Sequence, residues 1–476
     1  MQKSKLVKLL KSLTKDEIFS FEQYVASPFF NNSPQILKLY GCFLAVYPNW
    51  EHQNLNKVVI FARLFPNKNP KTSSALRELS SKLLQLLKNF LTFKEFQADT
   101  HYQNLLLVKS LNKRKQINLF EQAYTQTQEH LQHQAGKGIT GTYYQFLLEE
   151  ERFSFEVANN VKKGQMNLQA LIDKFGNYSL LKRLQIYCLL LNRQYLKSQD
   201  YDLKKLNELL LILEKESLYQ NPVIGIYYHT LKMLQGENEH FFKLKALFGT
   251  QGSLLEKREL RIQMTIAINY CNHAIAKGNQ AFAAERVELY FYMLQQNLLH
   301  KGKYLPAMHI KNLCVLALKA DQMNIAQHIV EDYKHQVSPK NVDDVYNFNK
   351  GIIEFYLHNF REAIYWLSQV QYINVFYQFD SKVLLLRSYY ELNETFPLLD
   401  LAETFKKMIQ RKRNLSEIEK SQYYNFVLIL VKLYRIKALE NKKSLQPIRE
   451  QIDKEALKNK DWLLEKLEEL AKKRGK

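Results

Sequence analysis

The sequence predicts an all-α protein that contains helical hairpins, and three observations indicate this. The chain of 476 residues has only 14 Gly and 10 Pro, about half their usual share. Strong helix formers such as Leu, Lys, Glu, Gln and Ala dominate instead. No segment combines period-two alternation of apolar residues with an Asn-Gly or Asp-Gly turn, so no β-hairpin is predicted. Finally, a two-helix pattern recurs in the second half of the chain.

The recurring pattern is an Asn, a small residue two positions later and an Ala twelve positions after that. Its three copies are Asn269/Cys271/Ala283, Asn312/Cys314/Ala326 and Asn349/Gly351/Ala363. They lie 37 to 43 residues apart, and a two-helix period of this length is typical of stacked helical repeats. Such an architecture favours binding along an extended surface.

The N-terminal hundred residues predict a series of helices. Residues 3–13 place four Leu on one face. Thr14 and Glu17 are spaced as a capping box for a helix through Ala26. Ser33 and Pro34 have the types preferred at the N-cap and first position of the next helix. A long Leu-rich helix is expected over 73–96.

Later helices are predicted from periodicity and from breaks at Gly and Pro. They cover 102–134, 142–163, 222–235, 416–438 and 458–474. Residues 249–253 (GTQGS) form the most linker-like segment in the middle of the chain. We divide the chain into an N-terminal helical region (1–100), a degenerate hairpin region (101–250), a repeat region (251–440) and C-terminal capping helices (441–476).

The charge of the chain is strongly positive, at +21. It comes from 52 Lys and 16 Arg, and Arg is the better residue for bidentate contacts to phosphates and bases. An excess of positive charge that comes mainly from Lys and is spread along the whole chain favours a solvated surface over a nucleic-acid site. RNA or DNA binding is the alternative, and it would use four short basic clusters if they lay on one face. These clusters are Lys113-Arg114-Lys115, Lys162-Lys163, Arg411-Lys412-Arg413 and Lys472-Lys473-Arg474.

Several signals for metals, cofactors and export are absent or incomplete. The four Cys are far apart in sequence, which favours a reducing compartment without disulfides or zinc. No apolar run approaches the roughly 20 residues that span a bilayer, so we expect a cytoplasmic protein. His130 and His133 could offer two metal ligands on one helix face, but no further ligands are marked. The adjacent carboxylates Glu149 to Glu151 point to different helix faces.

Gly136 to Gly141 (GKGITG) is a literal GxGxxG motif. A dinucleotide site needs a strand before this motif, whereas a polar helix precedes it here, so we interpret it as a helix connection. No nucleophile elbow, HExxH motif, EF-hand loop or kinase signature is present. We therefore predict no catalytic residue, no cofactor and no metal.

The recurring pattern resembles the tetratricopeptide repeat, a helix-turn-helix unit of about 34 residues. In that family small residues on the two helices face each other, as Gly351 and Ala363 would here across a turn at residues 358–360. The resemblance is clearest over 265–395, and it implies a right-handed solenoid of helical hairpins. The family's Trp and Pro positions are mostly absent, although Pro339 falls close to one of them. The first hundred residues are similar to uncharacterised bacterial helical proteins, a group without a known activity.

The resemblance also implies a partner-binding groove. In tetratricopeptide domains the residue two before the small position lies on the concave face, where an Asn binds the backbone or a carboxylate of a peptide. The matching and neighbouring positions, together with two aromatic residues that could line the groove, are Asn269, Asn272, Lys311, Asn312, Phe348, Asn349, Phe355 and Arg387. Two alternatives stay open: the Asn side chains bond only adjacent helices, and the aromatic residues pack in the core.

We therefore expect a non-enzymatic protein-interaction module or scaffold. Its partner would be a protein or peptide segment held in the concave groove of 265–395. The segment should be acidic, because the surface is rich in Lys.

Overall fold

The computed structural model of the protein describes residues 1–66, 74–133, 138–159, 168–197, 201–371, 375–412, 415–438 and 445–474. Over these residues the chain forms α-helices and short 3-10 turns and contains no strand, which confirms the predicted all-α class. The chain forms two compact units, Met1–Lys182 and Arg183–Lys476. The boundary between them falls within one long helix. The four-part division made from the sequence stays a prediction.

The first unit contains α1 (Lys5–Leu10), α2 (Lys15–Ala26), α3 (Pro34–Leu44), α4 (Lys57–Leu64), α5 (Ser74–Ala98), α6 (Thr100–Lys113), α7 (Ile117–His133), α8 (Ile139–Ala158) and the start of α9 (Leu168–Lys197). The second unit contains the end of α9, then α10 (Lys204–Lys215), α11 (Pro222–Leu234), α12 (Glu239–Gln251), α13 (Lys257–Ala276), α14 (Phe282–Gln295), α15 (Ala307–Lys319), α16 (Met323–Tyr333), α17 (Val342–Tyr356), α18 (Phe360–Ser368), α19 (Val375–Leu392), α20 (Thr395–Arg411), α21 (Glu417–Ala438), α22 (Gln446–Lys454) and α23 (Lys460–Arg474).

In the first unit, helices α1 to α5 share one aromatic-rich core. Phe21 is completely buried and lies edge-on to Tyr40, with ring centroids 4.9 Å apart. A separate core forms between α6, α7 and α8, where the rings of Phe120 and Phe155 stack at 3.8 Å. Aromatic pairs of this kind add to the free energy gained from burying their area.

Helices α2 and α3 of this unit begin at the N-cap residues that the sequence predicts. The backbone N–H of Thr14 donates to Glu17 Oε2 at 2.7 Å, and the N–H of Glu17 donates to Thr14 Oγ1 at 3.2 Å. This confirms the capping box of α2. Ser33 is also the N-cap of α3, but its side chain accepts no capping hydrogen bond. Instead, Asn31 Oδ1 accepts from the Ser33 N–H at 3.0 Å and holds the entry to the helix.

Two predicted segments differ from the structure. The helical stretch predicted over 102–134 is divided into two helices, because the chain turns at Lys115 with a φ of 56°. The linker-like segment 249–253 is instead the end of α12 and a 3-10 turn. Gly252 is buried there, and a Cβ at this position would lie 3.4 Å from Leu260. Tertiary packing thus orders a segment whose composition favours a loop.

The helices of the second unit pack in adjacent pairs, α11 with α12, α13 with α14, α15 with α16, α17 with α18 and α19 with α20. A left-handed residue ends the first helix of each pair. These residues are Gly236, Gly278, Asp321, His358 and Asn393, 35 to 43 residues apart.

The turns of the five pairs have one hydrogen-bond pattern. In the α17–α18 turn, the N–H of His358 donates to Phe355 O at 3.1 Å and the N–H of Asn359 donates to Glu354 O at 2.9 Å. These two bonds define the Schellman motif, and the other four turns repeat them. A single turn geometry therefore joins all five hairpins.

The small residues of the sequence pattern keep one register relative to these turns. Cys271, Cys314 and Gly351 lie seven residues before the left-handed residue, and Ala283, Ala326 and Ala363 lie five after it. All except the half-buried Ala283 are buried. A Cβ built on Gly351 would lie 2.6 Å from Leu367 Cγ, so α17 and α18 approach too closely for a larger residue. The paired packing is compatible with a helical-repeat solenoid.

At the end of the second unit, α23 packs against α21 and α22. Trp462 on α23 also reaches α19, where its ring lies 5.3 Å from that of Tyr390 and its Nε1 donates to Glu391 at 3.2 Å. With α18, α20 and α21 also packed against it, α19 is enclosed along most of its length. Its described side chains at 377–390 are all buried or half-buried.

Candidate functional site

The predicted groove residues occupy three different environments in the second unit. Four of them lie on α13 and α15, two lie inside the core next to α19, and two line a pocket beside α23. They come from equivalent or neighbouring positions of the hairpins, but the packing around each hairpin differs. Partner binding by the set as a whole therefore stays a prediction.

The α13 and α15 residues are the most accessible. Asn312 is exposed, and Asn272 is exposed while its Oδ1 accepts from Arg286 Nη1 at 2.9 Å. Asn269 is half-buried, and its Nδ2 donates to Asn192 Oδ1 at 3.2 Å, so it bonds an adjacent helix.

Lys311 forms an internal bridge between hairpins. Its Nζ pairs with Asp380 of α19 and lies 5.6 Å from the ring centre of Phe348. Asp380 also accepts from Tyr423 of α21 at 2.7 Å. The side chain of Lys311 is only 13% exposed, so its charge is largely used within the fold.

Phe348 and Asn349 are completely buried. The Phe348 ring packs 4.7 Å from that of Tyr377, and Asn349 Nδ2 donates to Val345 O at 2.7 Å. Phe348 therefore packs in the core, as the alternative for the aromatic residues expects, whereas Asn349 bonds the backbone of its own helix.

Phe355 and Arg387 line a pocket of about 250 Å³ together with residues of α23. Arg387 is only 8% exposed. Its guanidinium carbon lies 4.3 Å from the ring centre of Phe355 and 4.9 Å from that of Trp462. Burial lowers the pKa of Arg387 to about 10, which still leaves the side chain charged at neutral pH.

The exposed face of α13 and α15 carries positive charge without acidic residues. The exposed residues of these two helices are Lys257, Arg258, Arg261, Thr265, Asn272, Ala276, Asn312 and Lys319. The only carboxylate on either helix, Glu259, is buried and accepts from Tyr227. Among the described residues, no carboxylate forms an ion pair with Lys257, Arg258 or Arg261. The exposed side chains of these two helices therefore carry a positive charge.

Two of the buried cysteines serve the packing of their helices. Cys271 and Cys314 are completely buried, and they hold the same register relative to their turns as Gly351. Burial raises the pKa of each thiol to about 12, and a thiol of this kind is a poor nucleophile at neutral pH. They act as small apolar residues.

The remaining motifs lie in the first unit. Gly136, Lys137 and the side chain of His133 lie outside the described residues, and with them part of the predicted His pair and of the GxGxxG motif. Gly138 is the N-cap of α8, and α7, a helix, precedes the motif. Glu149 and Glu151 bond different helices, since Glu149 accepts from Tyr124 at 3.0 Å and Glu151 pairs with Lys109 at 3.0 Å. Within the described part of the chain, no group of three or more His, Cys, Asp or Glu could hold a metal ion.

The basic clusters are only partly described. Lys113, Arg114 and Lys115 are exposed at the end of α6, and Lys472 and Lys473 are exposed on α23. Lys162, Lys163, Arg413 and the side chain of Arg474 lie outside the described residues. Nucleic-acid binding through these clusters stays a prediction.

The structure adds residues that the sequence pattern did not identify, most importantly Trp462 and Asn459 in the Arg387 pocket. They lie 75 and 72 positions from Arg387 and outside the repeats, so periodicity could not connect them. Arg258 and Arg261 stand three apart on a helix with no exposed acidic residue. This spacing is visible in the sequence and could have identified the basic face.

Comparison with protein families, curated proteins and solved structures finds no match to this chain. No helix in the described residues is long and apolar enough to span a membrane.

Proposed function

We propose that the Arg183–Lys476 unit is a non-enzymatic protein-interaction module or scaffold that binds an acidic segment of a partner protein. The segment would lie on the exposed faces of α13 and α15, which belong to consecutive tetratricopeptide-like hairpins. The observation that supports this most directly is the charge of these faces: four exposed cations and no exposed carboxylate.

Specific contacts would come from the exposed amide side chains on the same two helices as these cations. Asn312 is exposed, and an amide can both donate to a peptide carbonyl and accept from a peptide N–H. Arg258 and Arg261 would supply charge-assisted hydrogen bonds to Asp or Glu side chains of the segment. The positive net charge of the chain would also speed the approach of an acidic partner.

A titration of the full chain with a short fluorescent peptide rich in Glu and Leu tests this proposal. We expect saturable binding that weakens between about 0.05 M and 0.3 M salt, since screening shortens the range of the attraction. Replacing Arg258 and Arg261 together with Glu should weaken binding about tenfold, which corresponds to about 1.4 kcal/mol. The Asn312→Ala variant should lose about threefold through one missing hydrogen bond.

The matched control replaces Lys407 and Lys454, exposed cations of α20 and α22, with Glu. This variant has the same net charge as the Arg258/Arg261 variant, and it should bind the peptide like the wild type. Equal losses in both variants would show a non-specific charge effect and contradict the proposal. Tighter binding of a single-stranded RNA than of the peptide would favour the nucleic-acid alternative.

A further inference from the structure

The pocket around Arg387 combines a buried cation with aromatic walls. It lies where the ends of α15, α17 and α19 meet the start of α23, all within the second unit. Phe355, Phe360 and Trp462 supply its apolar surface, and Lys319 lies at its exposed edge. The volume of about 250 Å³ suits a small ligand, because pockets for drug-sized molecules begin at roughly 300 Å³.

The hydrogen-bonding capacity of Arg387 is largely unused. Its Nε is buried and donates to no acceptor in the described residues. Its Nη1 has one long hydrogen bond, 3.4 Å, to Asn459 Oδ1. A guanidinium has five N–H donors, and a buried charge without a direct partner is disfavoured by its loss of hydration. The contacts to Phe355 and Trp462 involve ring faces and satisfy no N–H.

The carboxylates of the pocket are bound elsewhere. Glu391 accepts from Trp462 Nε1 and pairs with Lys466 at 3.0 Å, and Glu465 pairs with the same Lys466 at 3.0 Å. Arg387 forms no ion pair with either of them. The fold therefore gives Lys466 direct carboxylate partners, whereas Glu391 and Glu465 stabilise the charge of Arg387 only through space.

We propose that this pocket binds a small monocarboxylate whose carboxylate pairs with Arg387 and whose apolar body packs against Phe355 and Trp462. A planar carboxylate matches the fork formed by Nε and an adjacent Nη. A dianion such as phosphate is disfavoured, because Glu391, Asp461 and Glu465 also line the pocket. This site shares Lys319, at its edge, with the basic face of α13 and α15, but its ligand pairs with Arg387, so it goes beyond the interaction function proposed above.

Phenylacetate is a suitable probe, with neutral phenylacetamide and inorganic phosphate as comparisons. We expect phenylacetate to change the tryptophan fluorescence of the full chain saturably, through Trp462, and to raise its melting temperature. Phenylacetamide and phosphate should bind at least tenfold more weakly. Binding of phenylacetamide as tight as that of phenylacetate, or no binding of phenylacetate at millimolar concentration, would overturn the proposal.

Variants connect the signal to Arg387. Arg387→Met should abolish the effect of phenylacetate, and it should fold because it replaces a buried charge with an apolar chain of similar length. If it does not fold, Arg387→Lys keeps a charge without the fork and should weaken binding about tenfold. Arg435→Gln, at an exposed position of α21, is the control and should bind normally. An Arg387→Lys variant that is folded and binds like the wild type contradicts the proposal.

The two proposals can fail separately. The Arg387 variants should still bind the acidic peptide, whereas the variant with Glu at positions 258 and 261 should still bind phenylacetate. Loss of phenylacetate binding in that second variant would show that the ligand occupies the basic face, and it would overturn the assignment of the pocket.

Discussion

Gly351 shows how one residue type sets the distance between two helices. It lies on α17 at the closest approach to α18, where a Cβ would be 2.6 Å from Cγ and 2.8 Å from Cδ2 of Leu367 and 3.4 Å from Ala363 O. Leu367 is itself buried, so it has little room to move away. By contrast, Gly249 of α12 has no atom within 4 Å of the position that a Cβ would take.

These two glycines give opposite predictions for the same substitution. Gly351→Ala should lower the free energy of unfolding by about 1–3 kcal/mol through overpacking. Gly249→Ala should raise it by up to about 1 kcal/mol, because Ala is the better helix former and meets no obstacle. Urea unfolding of both variants measures the difference. A Gly351→Ala protein as stable as the wild type would mean that α17 and α18 separate without cost.

The half-buried His229 and the buried His240 form a pair across the α11–α12 hairpin. Their Nδ1 atoms are 2.7 Å apart, so one ring must donate and the other must accept. Burial lowers the pKa of His229 to about 4, with the neighbouring His240 and Lys243 acting in the same direction. The pKa of His240 is also lowered, mainly by burial. Protonation of both rings would remove the acceptor and bring two charges together.

This pair predicts that stability falls as the pH decreases. Between about pH 6.5, the usual pKa of His, and about pH 4, the unfolded chain binds a proton at His229 and the folded chain does not. The free energy of unfolding therefore decreases as the pH is lowered through this range. Urea midpoints at pH 7 and pH 5 should differ less in His229→Gln than in the wild type.

The exposed His335 provides the control, since His335→Gln should leave the pH dependence unchanged. An equal dependence in the wild type and in His229→Gln would show that the pair does not produce it.

Among the elements, the five hairpin turns show how different sequences form one geometry. Gly236 and Gly278 occupy the left-handed position of two turns, whereas Asp321, His358 and Asn393 occupy it in the others. Gly adopts a positive φ without strain, while other residues do so at a cost of roughly 1–2 kcal/mol. Asp321 has a second disadvantage, because its negative charge lies at the carboxyl end of α15.

Substitutions at the left-handed position of these turns should therefore change stability in opposite directions. Asp321→Gly should raise the free energy of unfolding by about 0.5–1 kcal/mol, and Gly278→Ala should lower it by about 1 kcal/mol. Both positions are exposed, and no atom lies within 4 Å of a Cβ on Gly278. Any change must therefore come from the backbone or the local charge. Thermal unfolding measures both variants, and a stabilising Gly278→Ala would contradict the assigned turn conformation.

On the scale of the second unit, the packing of neighbouring helices decides which of the predicted groove residues are exposed. The hairpins share one register, so Asn312 and Asn349 occupy equivalent positions nine residues before their turns. Asn312 is exposed and Asn349 is completely buried. Both α15 and α17 pack against the first helix of the next hairpin, so the shared register alone does not decide this difference. Equivalent positions in a degenerate repeat need not have equivalent roles.

The cations of the second unit also differ in whether they have a carboxylate partner within the fold. Lys245, Lys311 and Lys466 each pair with at least one carboxylate, while Lys257, Arg258 and Arg261 stand together on α13. The net charge of +21 does not reveal this difference. The proposed peptide site depends on it, because only cations without internal partners can attract a partner strongly.

The sequence alone determined the features that depend on neighbours along the chain. The all-α class follows from composition and periodicity. The capping box at Thr14 and the spacing of Cys314 and Ala326 around their turn follow from local rules, since caps and hairpins involve residues less than about 15 positions apart. Tertiary structure decided the accessibility of the site residues. Trp462 and Asn459 close the pocket over Arg387 from more than seventy positions away, and burial depends on contacts that a local pattern does not contain.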